Sequence, residues 1–451
     1  MSKVNNSLVM RLESEFYNSV SVTFINKEKA EYAILFSQYG TSKELNENKD
    51  GYPILRLNEF STSFISEPSK YCCLLDNDTY QTLRLKKDDV LICRTNGNPK
   101  LVGKSAIVPK DYDYAFASYL FRVRPKKEII NSATLVAFLN CKYGRMEIEK
   151  YSMVGNQANF SPAKFREISI PILGLNINNK IENMTYLSFD KFEQSKSFYS
   201  EAEKCLLECL GMKDFVANPN TINAQSLKDS FLKTGRLDAE FYQPKYDELI
   251  DLVKSHQSGY DKLGTLFLIK DRNYIPENDC LYKYIELSNI GFDGSITGHT
   301  EALGEDLPSR ARRIVRSGDL IVSSLEGSLN SCAIIPEKYD GAICSTGFYV
   351  LTPKDINVET ALVLFKSQLM QALMTRVCSG SIMAGMNTDE FANLIVPKID
   401  QHTQHVIAEI IQDCAQKREE SIRLLELAKT AVEIAIEQGE DKAMELLTQN
   451  K

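Results

Sequence analysis

Along this chain, short apolar runs bordered by turn residues give way twice to a long stripe of apolar positions spaced three and four apart. In the first half, Tyr52 to Leu57, Asp89-Val90-Leu91-Ile92-Cys93 and Phe116 to Val123 have the composition and borders of strands. The spacing of Leu135, Phe138 and Leu139 predicts a helix over Ser132 to Tyr143, and the run Ile168 to Leu173 closes the globular part. Beyond Lys180, the positions Phe192, Ser195, Tyr199, Ala202, Leu206 and Cys209 form the seam of a helix packed on another helix. Leu210-Gly211 stops it, and Asn218-Pro219-Asn220 opens a polar linker. The second half follows the same plan. Tyr282 to Leu287 and Leu320-Ile321-Val322 read as strands, and Thr360 to Met374 reads as a helix. After Pro397 a helical stretch runs to Gln438, with Ile411, Ala415, Ile422, Leu425, Val432 and Ile436 as its stripe and Arg418 and Lys429 interrupting it. A helix that long needs a partner, and antiparallel pairing with the first long helix supplies one.

The two halves also share words. Arg11-Leu12-Glu13-Ser14-Glu15-Phe16-Tyr17 returns as Arg236-Leu237-Asp238-Ala239-Glu240-Phe241-Tyr242, an offset of 225 residues. Lys87 to Ile92 returns as Ser317 to Val322, and Ala106-Ile107-Val108-Pro109 as Ala333-Ile334-Ile335-Pro336. Phe165 with Ile170-Pro171 returns as Phe391 with Val396-Pro397. A solenoid repeats every 20 to 50 residues or so; this period implies two copies of a whole domain. Two similar lobes can grip two similar things, or two parts of one long thing.

Composition narrows the class. The 451 residues suffice for two or more cores, and no apolar run reaches the roughly 18–20 residues of a membrane span. Met1 to Ser7 leads into no apolar signal region, and the 11 scattered cysteines form no C-x-x-C pair, so a reducing cytoplasm is expected. A formal net charge of −7 argues against non-specific nucleic-acid binding but allows local basic faces. Two segments read as such faces: Arg84 to Lys110, and the cluster Arg310, Arg312, Arg313 and Arg316.

The candidate chemistry is that of recognition. Gly97 to Ser105 imitates a phosphate-binding loop, but five residues separate its glycines where four are needed, and the residues after Ser105 read as a strand instead of a helix. His402 and His405 are too few for a metal site, and no nucleophile elbow or metalloprotease motif occurs. What remains is four polar loops at repeated positions. Arg94-Thr95-Asn96-Gly97-Asn98, with Lys100 and Lys104 beyond, follows one strand; Ser323-Ser324-Leu325-Glu326-Gly327-Ser328-Leu329-Asn330 follows its counterpart. Gly155-Asn156-Gln157 with Asn159 is matched by Ser379 to Met383, which includes Ser381. Arginine can bridge guanine O6 and N7, asparagine can pair with adenine, and glutamate accepts from cytosine N4. Different side chains on a common frame fit two readers of different sequences.

These features resemble the specificity subunit of type I restriction-modification systems. The resemblance rests on the Arg-Leu-(Asp/Glu)-x-Glu-Phe-Tyr opening of each half, continued by Gln243-Pro244-Lys245-Tyr246, on Gly318 to Val322, and on Met386 to Phe391 with Leu394 to Pro397 before a long helix. Ala202 to Gly211 after the first copy adds to it. One departure is Asp88, where the second copy has Gly318. The resemblance implies an α+β fold class: two similar mixed α/β target-recognition domains separated by two long antiparallel, coiled-coil-like helices. The implied divisions are 1–178 and 226–398 for the domains, 179–225 for the first spacer helix and linker, and 399–451 for the second spacer helix and tail. It further implies a non-catalytic subunit in which each domain reads one half of a split, asymmetric site in double-stranded DNA. The helices would set the gap and dock two methyltransferase subunits, and motor-nuclease subunits would join. No cofactor is expected on this chain; S-adenosylmethionine, ATP and Mg belong to the partners. Two other readings stand beside this one: an interaction scaffold without its own DNA reading, and a nucleotide-dependent enzyme using the imitation phosphate loop.

Overall fold

The same alternation of apolar residues builds the same sheet twice. The computed structural model describes residues 26–61, 63–152, 158–213, 215–216, 218, 220–380 and 384–449, so the Arg11 to Tyr17 opening of the first copy lies outside the described residues. The chain divides into two compact units, one made of residues up to Glu193 together with Arg418 onward, the other of Gln194–Lys417.

In the first unit, β1 (Ile34–Tyr39), β2 (Val90–Cys93), β3 (Ser105–Ile107) and β4 (Leu120–Pro125) form an antiparallel sheet in the order β1-β4-β2-β3. Successive side chains of a strand point to opposite faces. Accordingly Val90 and Ile92 pack with Phe121, Val123 and the helix α1 (Ser132–Asn140), whereas Leu91, Cys93 and Leu120 pack against a small sheet built on Tyr52–Leu55. Phe116 to Val123 is not one strand. Ala115–Phe116 belongs to the small sheet, and a turn closed by the Leu120 amide on the Ala117 carbonyl (2.9 Å) carries the chain into β4. The helix expected over Ser132 to Tyr143 ends at Cys141, and α2 (Lys142–Tyr151) folds back on it. Gly144 permits the contact, since a Cβ there would lie 2.0 Å from the Phe138 carbonyl oxygen. α3 (Leu175–Cys209) follows.

In the second unit, β5 (Phe267–Lys270), β6 (Leu320–Ser323), β7 (Cys332–Ile334) and β8 (Phe348–Pro353) repeat the order as β5-β8-β6-β7. The helix expected over Thr360 to Met374 is two, α4 (Val358–Lys366) and α5 (Gln368–Val377), separated by Ser367, whose hydroxyl accepts from the Met370 amide at 3.4 Å and caps α5. α6 (Gln401–Gln438) ends at Gly439, φ +94°.

The unit boundaries fall inside α3 and α6, so each unit holds an antiparallel pair of half-helices. In the first unit the Ser188 hydroxyl donates to the Ser421 carbonyl (2.8 Å), and Lys191 pairs with Glu420 (2.9 Å). In the second, the Cys414 thiol lies 3.1 Å from the Ser195 carbonyl. The seam of α6 differs from the stripe expected. It steps by four and three through Ile407, Ile411, Cys414, Arg418, Ser421, Leu425, Ala428, Val432 and Ala435, while Ala415 and Ile422 are exposed. Arg418 lies within the seam because its guanidinium sits over the Phe192 ring, 4.9 Å from the centroid.

The turn before the central strand is duplicated bond for bond. The Asp89 carboxylate accepts from the Lys86 amide (2.9 Å), the Asp88 amide donates to the Val108 carbonyl (2.9 Å), and the Val108 amide returns to the Asp89 carbonyl (2.9 Å). The Asp319 carboxylate accepts from the Arg316 amide (2.8 Å), and Gly318 and Asp319 exchange the same backbone bonds with Ile335 (2.9 and 2.8 Å). Asp88 (φ 71°) and Gly318 (φ 82°) both occupy the left-handed region, which explains the departure at this position: aspartate, unlike most side chains, tolerates that conformation.

Candidate nucleic-acid interface

Each central strand delivers its chain into a polar loop, and a second loop meets it there. In the first unit Thr95–Asn96 pairs antiparallel with Ala158–Asn159. Thr95 is buried and its hydroxyl donates to the Ala158 carbonyl at 3.0 Å, so its side chain fastens the two loops and does not face outward as expected of a reading group. Asn96 accepts from the Asn98 amide (2.8 Å) and Asn98 from the Lys100 amide (3.0 Å), a succession of side-chain turns that shapes the loop. Gly97 is the open apex: nothing lies within 4 Å of where a Cβ would stand. Asn156 and Gln157 lie outside the described residues.

Arg94 is the distinctive side chain. It is half-buried, its guanidinium lies 5.4 Å from the centroid of Tyr39, and its buried Nε has no hydrogen-bond partner among the described residues. The Tyr39 ring supports the plane of the guanidinium. Tyr39 and Tyr119 flank it, 47% and 59% exposed. Sequence reasoning missed both, because Tyr39 reaches Arg94 only through the pairing of β1 with β4 and of β4 with β2.

In the second unit, Leu325 bridges to Gly385, the Glu326 amide donates to the Ala384 carbonyl (3.0 Å), and the Met386 amide donates to the Ser324 carbonyl (2.9 Å). Ser323 is buried, with its Oγ 2.9 Å from that of Ser328, and Ser324 donates to the Gly347 carbonyl (3.0 Å). These three serines hold the loop together; among them and their neighbours, Glu326 is exposed beside the open apex Gly327. Asn330 is exposed at the loop's end, and Lys366 of α4 grips it through its carbonyl (2.6 Å) and Oδ1 (3.0 Å). Burial holds the Lys366 ammonium below its ordinary pKa. Ser381 lies outside the described residues.

The frames superimpose in their bonding. The Arg94 amide donates to the Tyr119 carbonyl (2.8 Å) and its carbonyl accepts from the Phe160 amide (2.7 Å). The Ser324 amide donates to the Gly347 carbonyl (2.8 Å) and its carbonyl accepts from Met386. The same backbone station therefore presents arginine in one copy and serine in the other.

The basic segments are less open than their charge implies. Arg84 pairs with Asp113, Lys86 with Asp111 (3.7 Å) and Lys110 with Glu193 (3.3 Å). Arg310 pairs with Glu286 (2.8 Å), Arg312 donates to the Ser309 carbonyl (3.1 Å), and Arg313 donates to the Asp271 carbonyl. Arg310 adjoins the loop after β6, since its carbonyl accepts from the Thr346 amide next to Gly347, and its exposed ion pair is a weak one. Lys100 is exposed beside Asn98. Lys104 is misplaced by the sequence reading: it lines a cavity of about 270 Å³ with Val136 and Asn140 of α1 and Leu425 and Lys429 of α6, and burial lowers its pKa. The imitation phosphate loop contains one turn at Pro99–Leu101 and then β3, so no helix N-terminus faces a phosphate. No described helix is long and apolar enough to cross a membrane.

Comparison with known proteins places the sequence in a family. The model of the type I restriction modification DNA specificity domain matches residues 27–184 and 260–425. The specificity subunit of the StySPI type I restriction enzyme from Salmonella potsdam is 27% identical over 138 residues, and that of EcoKI from Escherichia coli K12 is 27% identical over 135; each match covers 30% of this chain and 29% of the relative. The chain thus spans less than a third of the length of these relatives. A type I S subunit from M. genitalium of known structure aligns over 97% of both chains with 13% identity and a TM-score of 0.39. The two matched segments occupy well over half of the sequence, one in each copy, and the chain belongs to the family of type I restriction modification DNA specificity domains.

Proposed function

We propose that the chain is the DNA-reading subunit of a type I restriction-modification complex, with each unit reading one half of a bipartite, asymmetric site. The observation that carries the reading is the shared station at Arg94 and Ser324, where one backbone frame presents different hydrogen-bonding chemistry. Duplicated frames with unlike side chains suit a site whose halves differ in sequence. In this reading the lengths of α3 and α6 set the gap between the halves and their surfaces dock two methyltransferase subunits. Methyl transfer with S-adenosylmethionine, and cleavage with ATP and Mg by motor-nuclease subunits, take place on those partners. This chain supplies sequence choice and no catalytic group.

The test is to map methylated adenines in DNA from cells carrying the complex, and to measure DNA binding of the assembled complex against salt. The expected results are a split motif of two unlike halves and a steep loss of affinity with salt, because phosphate contacts release counterions. The net charge of −7 leads to the further expectation that the chain alone binds weakly. A single contiguous motif, or salt-independent binding, would overturn the reading.

A further inference from the structure

The word that opens each half, Arg-Leu-(Asp/Glu)-x-Glu-Phe-Tyr, is described in the second unit alone, where it lies outside the two polar loops of the candidate interface. There its charged and aromatic side chains all have partners. The Arg236 guanidinium is gripped by the Asp238 carboxylate through Nε (2.9 Å) and Nη2 (2.7 Å). Phe241 lies between two guanidinium groups, with Arg236 4.5 Å and Arg376 4.2 Å from its centroid. Arg376 also donates to the Phe241 carbonyl (3.1 Å), and the Tyr242 hydroxyl donates to the Arg236 carbonyl (3.0 Å). The motif therefore fixes the position and plane of one arginine fork.

That fork points at the second reading loop. Nη2 donates to the Cys378 carbonyl (2.8 Å) and Nη1 to the Val377 carbonyl (3.3 Å), at the end of α5. Carbonyls at a helix C-terminus lack partners within the helix, and a cation is favourable there. Nη1 is also 3.5 Å from Glu390, on the short helix Thr388–Ala392 that leaves the loop. Between these ends, Ser379 and Gly385 exchange two backbone bonds (2.9 and 3.0 Å), and Ala384 and Met386 bond to Glu326 and Ser324. Arg236 thus ties the entry of the loop to its exit, and only 11% of its side chain is exposed.

We propose that Arg236 is a positioning residue for base recognition: a staple across the stem formed by Ser379 and Gly385 that sets how Ala384 to Met386 meet the Glu326 loop. The inference rests on the reading that these loops contact bases. Lysine at this position keeps the charge but loses the planar fork, which binds Asp238 and two carbonyls together.

The test uses the whole complex in cells, with methylated adenines mapped for Arg236→Lys, Asp238→Asn and Glu326→Ala, and with the melting midpoint of each purified complex. Arg236→Lys is expected to reduce discrimination among bases by about tenfold in one half-site and leave the other half-site and the salt slope unchanged. Asp238→Asn, which loosens the fork without removing it, should give a smaller loss in the same half-site. If Glu326→Ala relaxes that half-site and both fork variants leave it intact, the proposal is overturned and the reading stands. If none of the three alters base preference, the loops do not read bases and the reading falls with it. Loss of both half-sites together with a lower melting midpoint in both fork variants would show a purely structural motif and would equally overturn the proposal.

Discussion

The Tyr186 hydroxyl of α3 donates to Asp88 Oδ1 over 2.6 Å, and the Lys127 ammonium meets the other carboxylate oxygen at 2.5 Å. Asp88 is thus both the left-handed residue of the turn before β2 and the point where that turn is bound to the long helix. Burial pushes its carboxyl pKa up, but the bonds from Lys127 and Tyr186 outweigh burial and hold it below the ordinary value.

A pH signature follows. A carboxyl with a lowered folded pKa contributes stability above its unfolded pKa of about 4, and that contribution is lost as pH falls through the folded value. Asp88→Asn keeps a side chain that tolerates positive φ and removes the charge. It should lower stability by about 1 kcal/mol at neutral pH and by progressively less below about pH 4. Denaturant unfolding across that range measures it; a difference that stays constant with pH would rule the account out.

The two buried aspartates should differ in cost. Asp89 is fully buried and bonded to Arg122 (3.0 Å), itself 4% exposed, and to Arg124 (2.9 Å). Its counterpart Asp319 bonds to Lys270 (2.8 Å), whose side chain is 34% exposed. Asp89→Asn should cost roughly 3–5 kcal/mol because it leaves buried arginine charge uncompensated. Asp319→Asn should cost less, since water reaches the lysine. Thermal unfolding of the two variants gives the comparison, and equal losses would contradict it.

Arg94→Ala should weaken recognition of one half-site by roughly 1–3 kcal/mol and leave the base preference of the other unchanged. Selection of bound sequences from a randomised pool reads this out. A uniform loss across all sequences would make Arg94 a phosphate contact instead.

Matched insertions of about four residues in α3 and α6, close to one helical turn, keep the facing of the apolar seam. Methylation mapping should return the same two half-sites with a gap longer by one or two base pairs or so, given about 1.5 Å per helical residue and 3.4 Å per base pair. An unchanged gap at full activity would leave the helices with a docking role alone.

What the sequence disclosed and what it concealed divide along a physical line. The strands at Val90–Cys93 and Leu320–Ser323 and the extent of α6 were legible because local periodicity and turn residues specify them. The place of Arg418 in the seam was not, because its aromatic floor, Phe192, belongs to the other helix. Lys104 looked like part of a basic face because charge counts do not say which way a side chain points; it faces a cavity beside α1. That the polar loop after Cys93 meets a second loop was not legible either; only the pairing of Thr95–Asn96 with Ala158–Asn159 shows that Thr95 is a fastener.

The duplicated turn at Asp88-Asp89 and Gly318-Asp319 has a consequence for how such a protein changes over generations. Most of the bonds that shape it run between main-chain atoms, so the stem does not depend on what the following loop spells. A stretch of gene encoding one loop can therefore be overwritten by recombination, even by copying from the other half of the same gene, and still land on a stem that accepts it. On the proposed function, such a lineage would acquire a new DNA preference in one event without passing through an unfolded ancestor.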